Sequence, residues 1–371
     1  MNSLPSSLYI HVPFCERKCN YCAFESHVPK ACEKELYLYL IEKELALRLK
    51  GCARPKLKTC YFGGGTPTLL SSAEWKSLIE IIEKFFDFEP DAEVTVEANP
   101  NSLNAAHLLE WRDWRVTRVS LGIQSFDDAE LSLMGRLHSA RQAHDAISAS
   151  IAAGFSVNGD FIFALPYQTF ENWARTLKEA AHCGLRHISL YQLTIEENTP
   201  WAELDTSLLS DGYSHYRFAQ WYFSRKGYEQ YEIANFAQHG YESRHNINYW
   251  NEGTYLGIGP SASSYIDGVR MKNQGNIFKY KQNIEDGVLP VENQEELTYD
   301  ALAREAAVLA LRMTRGFDIQ KFAHKYGNEN LNLIIKKMKQ FPDDLYSFDN
   351  KTLSLTKKGM RVANIIWTEL I

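Results

Sequence analysis

Short β-prone runs alternate with helix-patterned segments along the first half of the chain, and this rhythm restricts the fold more than any single residue does. The runs are SLYIHVP (7–13), LKTCYFGG (57–64), AEVTVEAN (92–99), RVSLGIQSF (118–126), SVNGDFIFALP (156–166) and HISLYQLTI (187–195). Between them lie ACEKELYLYLIEKELALRL, SAEWKSLIEIIEKFF, LNAAHLLEWRDW, SARQAHDAISASIAAG and FENWARTLKEAAHCG. Strands alternating with helices of this length predict βα units around a parallel sheet. Six units within about 190 residues fall short of the eight of a closed barrel, so the fold class is α/β, an open partial (β/α)6 barrel.

The residues that end each run are polar while the runs themselves are apolar. A cysteine cluster follows the first run, and Gly63, Gly64, Gly65, Thr66 and Pro67 follow the second. Glu97 and Asn99 end the third, Gln124 and Ser125 the fourth; Asp160 lies in the fifth, and Tyr191 and Gln192 in the sixth. In α/β barrels the carboxyl ends of the strands converge on one mouth, where the active site sits. Six polar ends in register predict one shared pocket.

The cluster places three of the seven cysteines, Cys15, Cys19 and Cys22, at i, i+4 and i+7. An odd set cannot be consumed by disulfides among its own members. A closed zinc site needs four ligands, and no second CxxC or HxxxH follows at the spacing of a zinc finger. Three thiolates suit an iron–sulfur cubane that keeps one iron open for an outside ligand; unligated loop cysteines or a partial zinc site are the alternatives. Cys32, Cys52, Cys60 and Cys183 are scattered and are expected to be buried apolar thiols.

Composition narrows the function classes. A net charge of −6 gives no basic face for a general nucleic-acid binder. The N-terminal MNSLPSSLYIHVP lacks the pattern of a secretory leader, and no run approaches the roughly 18 apolar residues of a spanning helix. The expectation is a soluble cytoplasmic protein, where clustered thiols signal metal or redox chemistry. GGGTP at 63–67 is neither a phosphate loop nor a dinucleotide fingerprint, because no GK[ST] and no GxGxxG is present.

With the spacing CxxxCxxC, Tyr21 before the last cysteine and GGGTP after the second strand, the chain resembles the radical S-adenosylmethionine (SAM) superfamily. LYIHVPFC, CYFGGGTPT, VTVEANP, SLGIQSF, GDFIFALP and YEIANFA…RHNINYW narrow the resemblance to its coproporphyrinogen dehydrogenase-like branch, over about residues 7–265. This resemblance implies that Cys15, Cys19 and Cys22 ligate a [4Fe–4S] cluster. It also implies that Tyr9, Gly64, Gly65, Thr66, Glu97, Gln124, Arg136 and Asp160 occupy SAM-contacting positions, with the Phe24 backbone at the adenine. Glu97 and Asp160 are suited to accept from an ammonium or ribose hydroxyls, and Arg136 to pair with the SAM carboxylate. His11, beside the cluster, is read as a support and not as a ligand.

Two departures point away from the dehydrogenase. Its pattern is CxxxCxxCxC, whereas here Phe24 takes the last position; and HNINYW (245–250) matches the HNxxYW motif of the HemW-type heme chaperones. The resemblance therefore implies a heme-binding chaperone that delivers heme to an unknown acceptor protein, with His245 as a candidate heme contact. A radical SAM enzyme acting on a porphyrin-like substrate, fed by an electron donor such as a flavodoxin, remains the alternative. A third is a protein with a purely structural cluster, against which the retained SAM positions argue.

After about residue 295, helical patterns precede two β-prone runs about Asp349–Asn350 and a final helix, predicting a winged-helix-like α+β domain. Winged helices often bind DNA, but this one has no concentrated basic face, and in the related proteins it serves as an accessory or lid. The expected division is a barrel at 1–200, an extension bearing HNxxYW at 201–295, and the small domain at 296–371.

Overall fold

A computed structural model describes residues 4–349 and 351–371. It contains two compact units, Met1–Ser210 with Thr254–Glu295 and Asp211–Gly253 with Glu296–Ile371. The stretch 201–295 is thus shared between the two units, because the chain leaves the barrel after Ser210 and returns at Thr254.

The first unit is built on β1 (Ser7–Val12), β2 (Lys56–Gly64), β3 (Asp87–Ala98), β4 (Arg118–Gln124), β5 (Ser156–Phe163) and β6 (His187–Gln192). They are parallel and neighbour one another in sequence order, as successive βα units require. A further parallel strand, Leu256–Ile258, pairs with β1 at the opposite edge from β6. Helices α1 (Glu33–Arg48), α2 (Ser72–Phe85), α3 (Ala105–Asp113), α4 (Asp128–Leu133), α5 (Ala140–Ala152) and α6 (Phe170–His182) alternate with the strands.

Local chemistry fixes where these helices start. Ser71 with Glu74, and Ser139 with Gln142, form reciprocal capping boxes on α2 and α5, satisfying N–H groups that the first turn leaves open. Asn104, Asp127 and Thr169 cap α3, α4 and α6. Trp75, Trp111 and Trp173 from the helices are fully buried. Phe62, Trp75 and Trp111 meet edge to face with centroids 5.1 and 5.5 Å apart, an arrangement aromatic quadrupoles favour.

A buried polar knot pins the returning segment to α1. The Glu44 carboxylate is wholly enclosed and accepts from Arg48 Nε (2.8 Å), Asn273 Nδ2 (2.7 Å), the Gly259 N–H (2.9 Å) and the Tyr280 hydroxyl. Every lone pair needs such a donor, since an unpaired buried carboxylate is costly.

In the second unit, helices Tyr299–Arg312, Ile319–Met338 and Ala363–Leu370 surround a core that includes Leu311, Phe322, Ile334, Leu353 and Ile366. The long helix is interrupted at Gly327 (φ 79°, ψ 155°). Tyr346–Phe348 and Thr352–Leu355 form the expected antiparallel hairpin, with Phe348 opposite Leu353. Asn350, at its predicted turn, lies outside the described residues, as do residues 1–3 of the N-terminal segment. Among the described residues no helix is long and apolar enough to cross a membrane.

Candidate functional site

The loop after β1 is tied down on both sides. His27 N–H donates to Pro13 O and Cys15 N–H donates to His27 O, each at 2.9 Å, closing the loop on itself. Asn20 donates through its backbone to Met134 O (3.1 Å) and through Nδ2 to Leu133 O (2.9 Å), while Arg17 donates to Gly135 O. Cys15, Cys19 and Cys22 are thereby held half-buried. Burial pushes the Cys22 thiol up, with Cys19 and Cys15 adding to the shift, so its thiolate calls for a neighbouring cation. Among the described residues no three His, Cys, Asp or Glu close round a single ion. A cluster makes no such demand, because each thiolate takes its own iron.

Of the other cysteines only Cys60 is buried; Cys52 and Cys183 are half-buried and Cys32 is exposed. The expectation of four buried thiols therefore fails for three. Cys32 sits at the start of α1 in the left-handed region (φ 60°).

The glycine turn after β2 packs against this loop. Gly64 has φ +106°, and a Cβ there would meet the His11 ring at 2.5 Å. At Gly65 an added Cβ would lie 2.5 Å from the Phe14 carbonyl oxygen and 2.9 Å from that of Val12. Gly65 and Thr66 donate their N–H groups to those same oxygens, at 2.8 and 2.7 Å. Gly65 thus allows strand-to-loop contact; the glycine that faces an acidic side chain is Gly63, whose added Cβ would meet the Glu97 carboxyl at 2.9 Å.

Alternation along the strands sends a polar set into the barrel. Tyr61 donates to Glu97 Oε1 at 2.8 Å and the Gly64 N–H donates to Oε2 at 3.1 Å. Enclosure pushes Glu97 up to about 7, these two bonds pull it back, and Asp160 adds to the rise. Tyr9 donates to His11 Nδ1 at 3.0 Å, and His11 Nε2 donates to Glu25 O at 2.9 Å, so His11 ties β1 to the far side of the cysteine loop. Burial lowers the His11 pKa, keeping it neutral in this role. Asp160 accepts from Ser120 Oγ (3.0 Å) and Asn158 Nδ2 (2.8 Å); burial raises its pKa against these bonds and Arg118.

Asn99 joins the parts. Its Nδ2 donates to Thr66 Oγ1 (3.0 Å), and its Oδ1 accepts from Arg136 Nη2 (2.7 Å). Thr66 Oγ1 lies 3.5 Å from Cys15 Sγ, and Arg136 Nη1 donates to Cys19 Sγ at 3.5 Å. The sequence marks Asn99 as a polar strand end but gives it no role, because its partners come from other loops. Arg136 Nε is buried with no partner among the described residues, an orphan that a carboxylate would satisfy. Gln124 closes β4 at φ 67°, where the β4–β5 register slips between Gly122 and Gln124. Phe24 turns its ring outward at 63% exposure, while its backbone N–H faces the Cys22 thiol.

HNINYW forms the helix Arg244–Trp250 in the second unit, capped by Ser243. His245 is 1% exposed, and its Nε2 is paired with the Tyr249 hydroxyl at 2.7 Å. Burial pulls its pKa down to about 3, so it stays neutral. Ile247 and Trp250 pack on Tyr231, Ala237 and Met313, and the Arg312 guanidinium stacks 4.2 Å from the Trp250 ring.

Comparison with known proteins agrees with this arrangement. The family model for the Radical SAM superfamily matches residues 9–180, and that for the HemN C-terminal domain matches 297–362. The heme chaperone HemW of Bacillus subtilis is 32% identical over 97% of this chain and 98% of its own length. The chain belongs to the HemW family. Other relatives are the heme chaperone HemW of Escherichia coli, 36% identical over 71% of this chain and 70% of its own, and a mitochondrial radical S-adenosyl methionine domain-containing protein 1 of Bos taurus, 36% identical over 69% and 60%. The solved structure of E. coli coproporphyrinogen III oxidase (HemN) superposes with a TM-score of 0.87 at 23% identity, covering 99% of this chain and 90% of its own. The fold is thus the radical SAM α/β fold with a HemN-type C-terminal domain. Membership of the superfamily implies SAM and a [4Fe–4S] cluster, and the thiols, the orphaned Arg136 Nε and the raised Glu97 fit both.

Proposed function

We propose that this chain is a heme-binding chaperone on a radical SAM scaffold, which passes heme to an acceptor protein. One observation carries the reading: a protein named as a heme chaperone aligns with both units of the chain along nearly its full length. Phe24 supports it, because an exposed aromatic ring cannot replace the thiol of the dehydrogenase pattern in redox or proton chemistry.

Cys15, Cys19 and Cys22 would hold a [4Fe–4S] cluster, which when bound supplies an open iron for SAM and a store for one electron. Glu97 would accept from the SAM ammonium, and Arg136, held by Asn99 and Gly122 O, would pair with its carboxylate. Asp160, fixed by Ser120 and Asn158, would take a ribose hydroxyl, while Tyr9, Gly64, Gly65, Thr66 and Gln124 shape the pocket and the Phe24 backbone meets the adenine. His245 would contact heme only after its bond to Tyr249 opens. An electron donor of the flavodoxin type is required only where SAM is cleaved. Three working thiols suit a reducing compartment such as the cytoplasm.

The test is transfer. Ferric heme loaded on the reconstituted chain should move to a heme-free acceptor, such as an apo-globin, with the acceptor's Soret band growing as the donor's falls. A chain that binds no heme would end the reading.

A further inference from the structure

Resting on the heme-carrier reading, we propose that His27 is the axial ligand for heme iron, oriented by Glu33, with Phe24, Val28 and Phe278 receiving the porphyrin face. His27 Nε2 donates to Glu33 Oε1 at 2.7 Å, and Glu33 Oε2 accepts from the Lys30 N–H at 2.8 Å. A carboxylate on one ring nitrogen fixes the tautomer and raises the basicity of the other, the arrangement that supports metal-bound imidazoles. The other nitrogen, Nδ1, has no partner among the described residues, and the side chain is 41% exposed.

The surroundings suit a flat apolar ring carrying carboxylates. Phe24 and Val28, 63% and 60% exposed, stand in the same loop as His27, and Phe278 is 67% exposed; a porphyrin would take such apolar surface out of water. The Lys30 ammonium lies 5.9 Å from the Phe278 centroid, placing a cation beside the apolar surface for a propionate. The backbone of His27 is bonded to Pro13 and to Cys15, so its ring is positioned by the same loop that carries the thiols. His144 also pairs with a carboxylate, Glu179, but its ring face is covered by Phe126 at 4.4 Å. His245 is enclosed.

The experiment is a ferric-heme titration of the anaerobically reconstituted full chain, followed by its Soret band and heme electron paramagnetic resonance, with cluster iron measured in parallel. His27→Ala should move the Soret band to that of heme lacking the imidazole and weaken binding by at least about tenfold; Glu33→Gln should weaken it about 10-fold or more with the ligand still present. Free imidazole should restore the band of His27→Ala, a rescue that a structural role would not show. His144→Ala should keep the wild-type spectrum. A wild-type spectrum and affinity in His27→Ala, or no rescue by imidazole, overturns the assignment and leaves the carrier reading standing. Absence of heme binding by the wild type overturns both.

Discussion

Lowering the pH should weaken SAM binding through one carboxyl, Glu97. Enclosure lifts its pKa to about 7, although Tyr61 and the Gly64 N–H both donate to it. An ammonium placed on it favours the carboxylate, so binding releases a proton whenever Glu97 starts protonated. With a pKa of about 7, roughly 90% is ionised at pH 8 and roughly 10% at pH 6. Affinity should therefore level off above about pH 8 and drop about tenfold between pH 8 and 6, or about 1.4 kcal/mol. Isothermal titration at pH 6, 7 and 8, in buffers of different ionisation enthalpy, should show close to one proton released at pH 6 and almost none at pH 8. Glu97→Gln should bind more weakly and lose the slope. The same raised pKa makes the fold lose stability as pH rises from the unfolded value of about 4.3 towards 7, because the native state binds the extra proton. Glu97→Gln should accordingly unfold at higher urea than the wild type at pH 7.5. Affinity independent of pH between 6 and 8 in the wild type, or a slope retained in Glu97→Gln, would refute the reasoning.

Replacing Cys15, Cys19 or Cys22 by Ala should abolish the brown absorbance and the iron of the anaerobic protein, while Cys52→Ala leaves both; iron and sulfide assays decide it. Gly65→Val should lose cluster as well as SAM, since its Cβ meets the Phe14 carbonyl at the base of the cysteine loop; cluster content unchanged with SAM binding lost would contradict this. Arg48→Met should cost about 3–5 kcal/mol in urea unfolding, because it strips a charge partner from the enclosed Glu44.

The barrel was legible because short β-prone runs alternate with helix-patterned segments, and α2 to α6 each begin at a capping side chain. Leu256–Ile258 was not, since three residues carry no period and their pairing with β1 depends on a chain excursion of more than forty residues. The thiol spacing and Glu97 as a polar strand end are visible in the sequence, whereas the partners of Asn99 needed the fold to bring Thr66 and Arg136 to its two ends. Gly65 shows the limit differently: its freedom is visible in sequence, but only coordinates reveal that the missing Cβ faces the Phe14 carbonyl. His245 reads from the sequence as a candidate heme contact, and only the fold shows that i, i+4 geometry pairs it with Tyr249 within a packed helix.

The most direct measurement takes one anaerobic preparation with a full cluster and splits it. One half is titrated with ferric heme and read at the Soret band; the other receives coproporphyrinogen, SAM and a reductant and is assayed for protoporphyrinogen. The account predicts saturable heme binding with a Soret shift and no turnover above the protein-free control. Turnover to protoporphyrinogen without heme binding would contradict it.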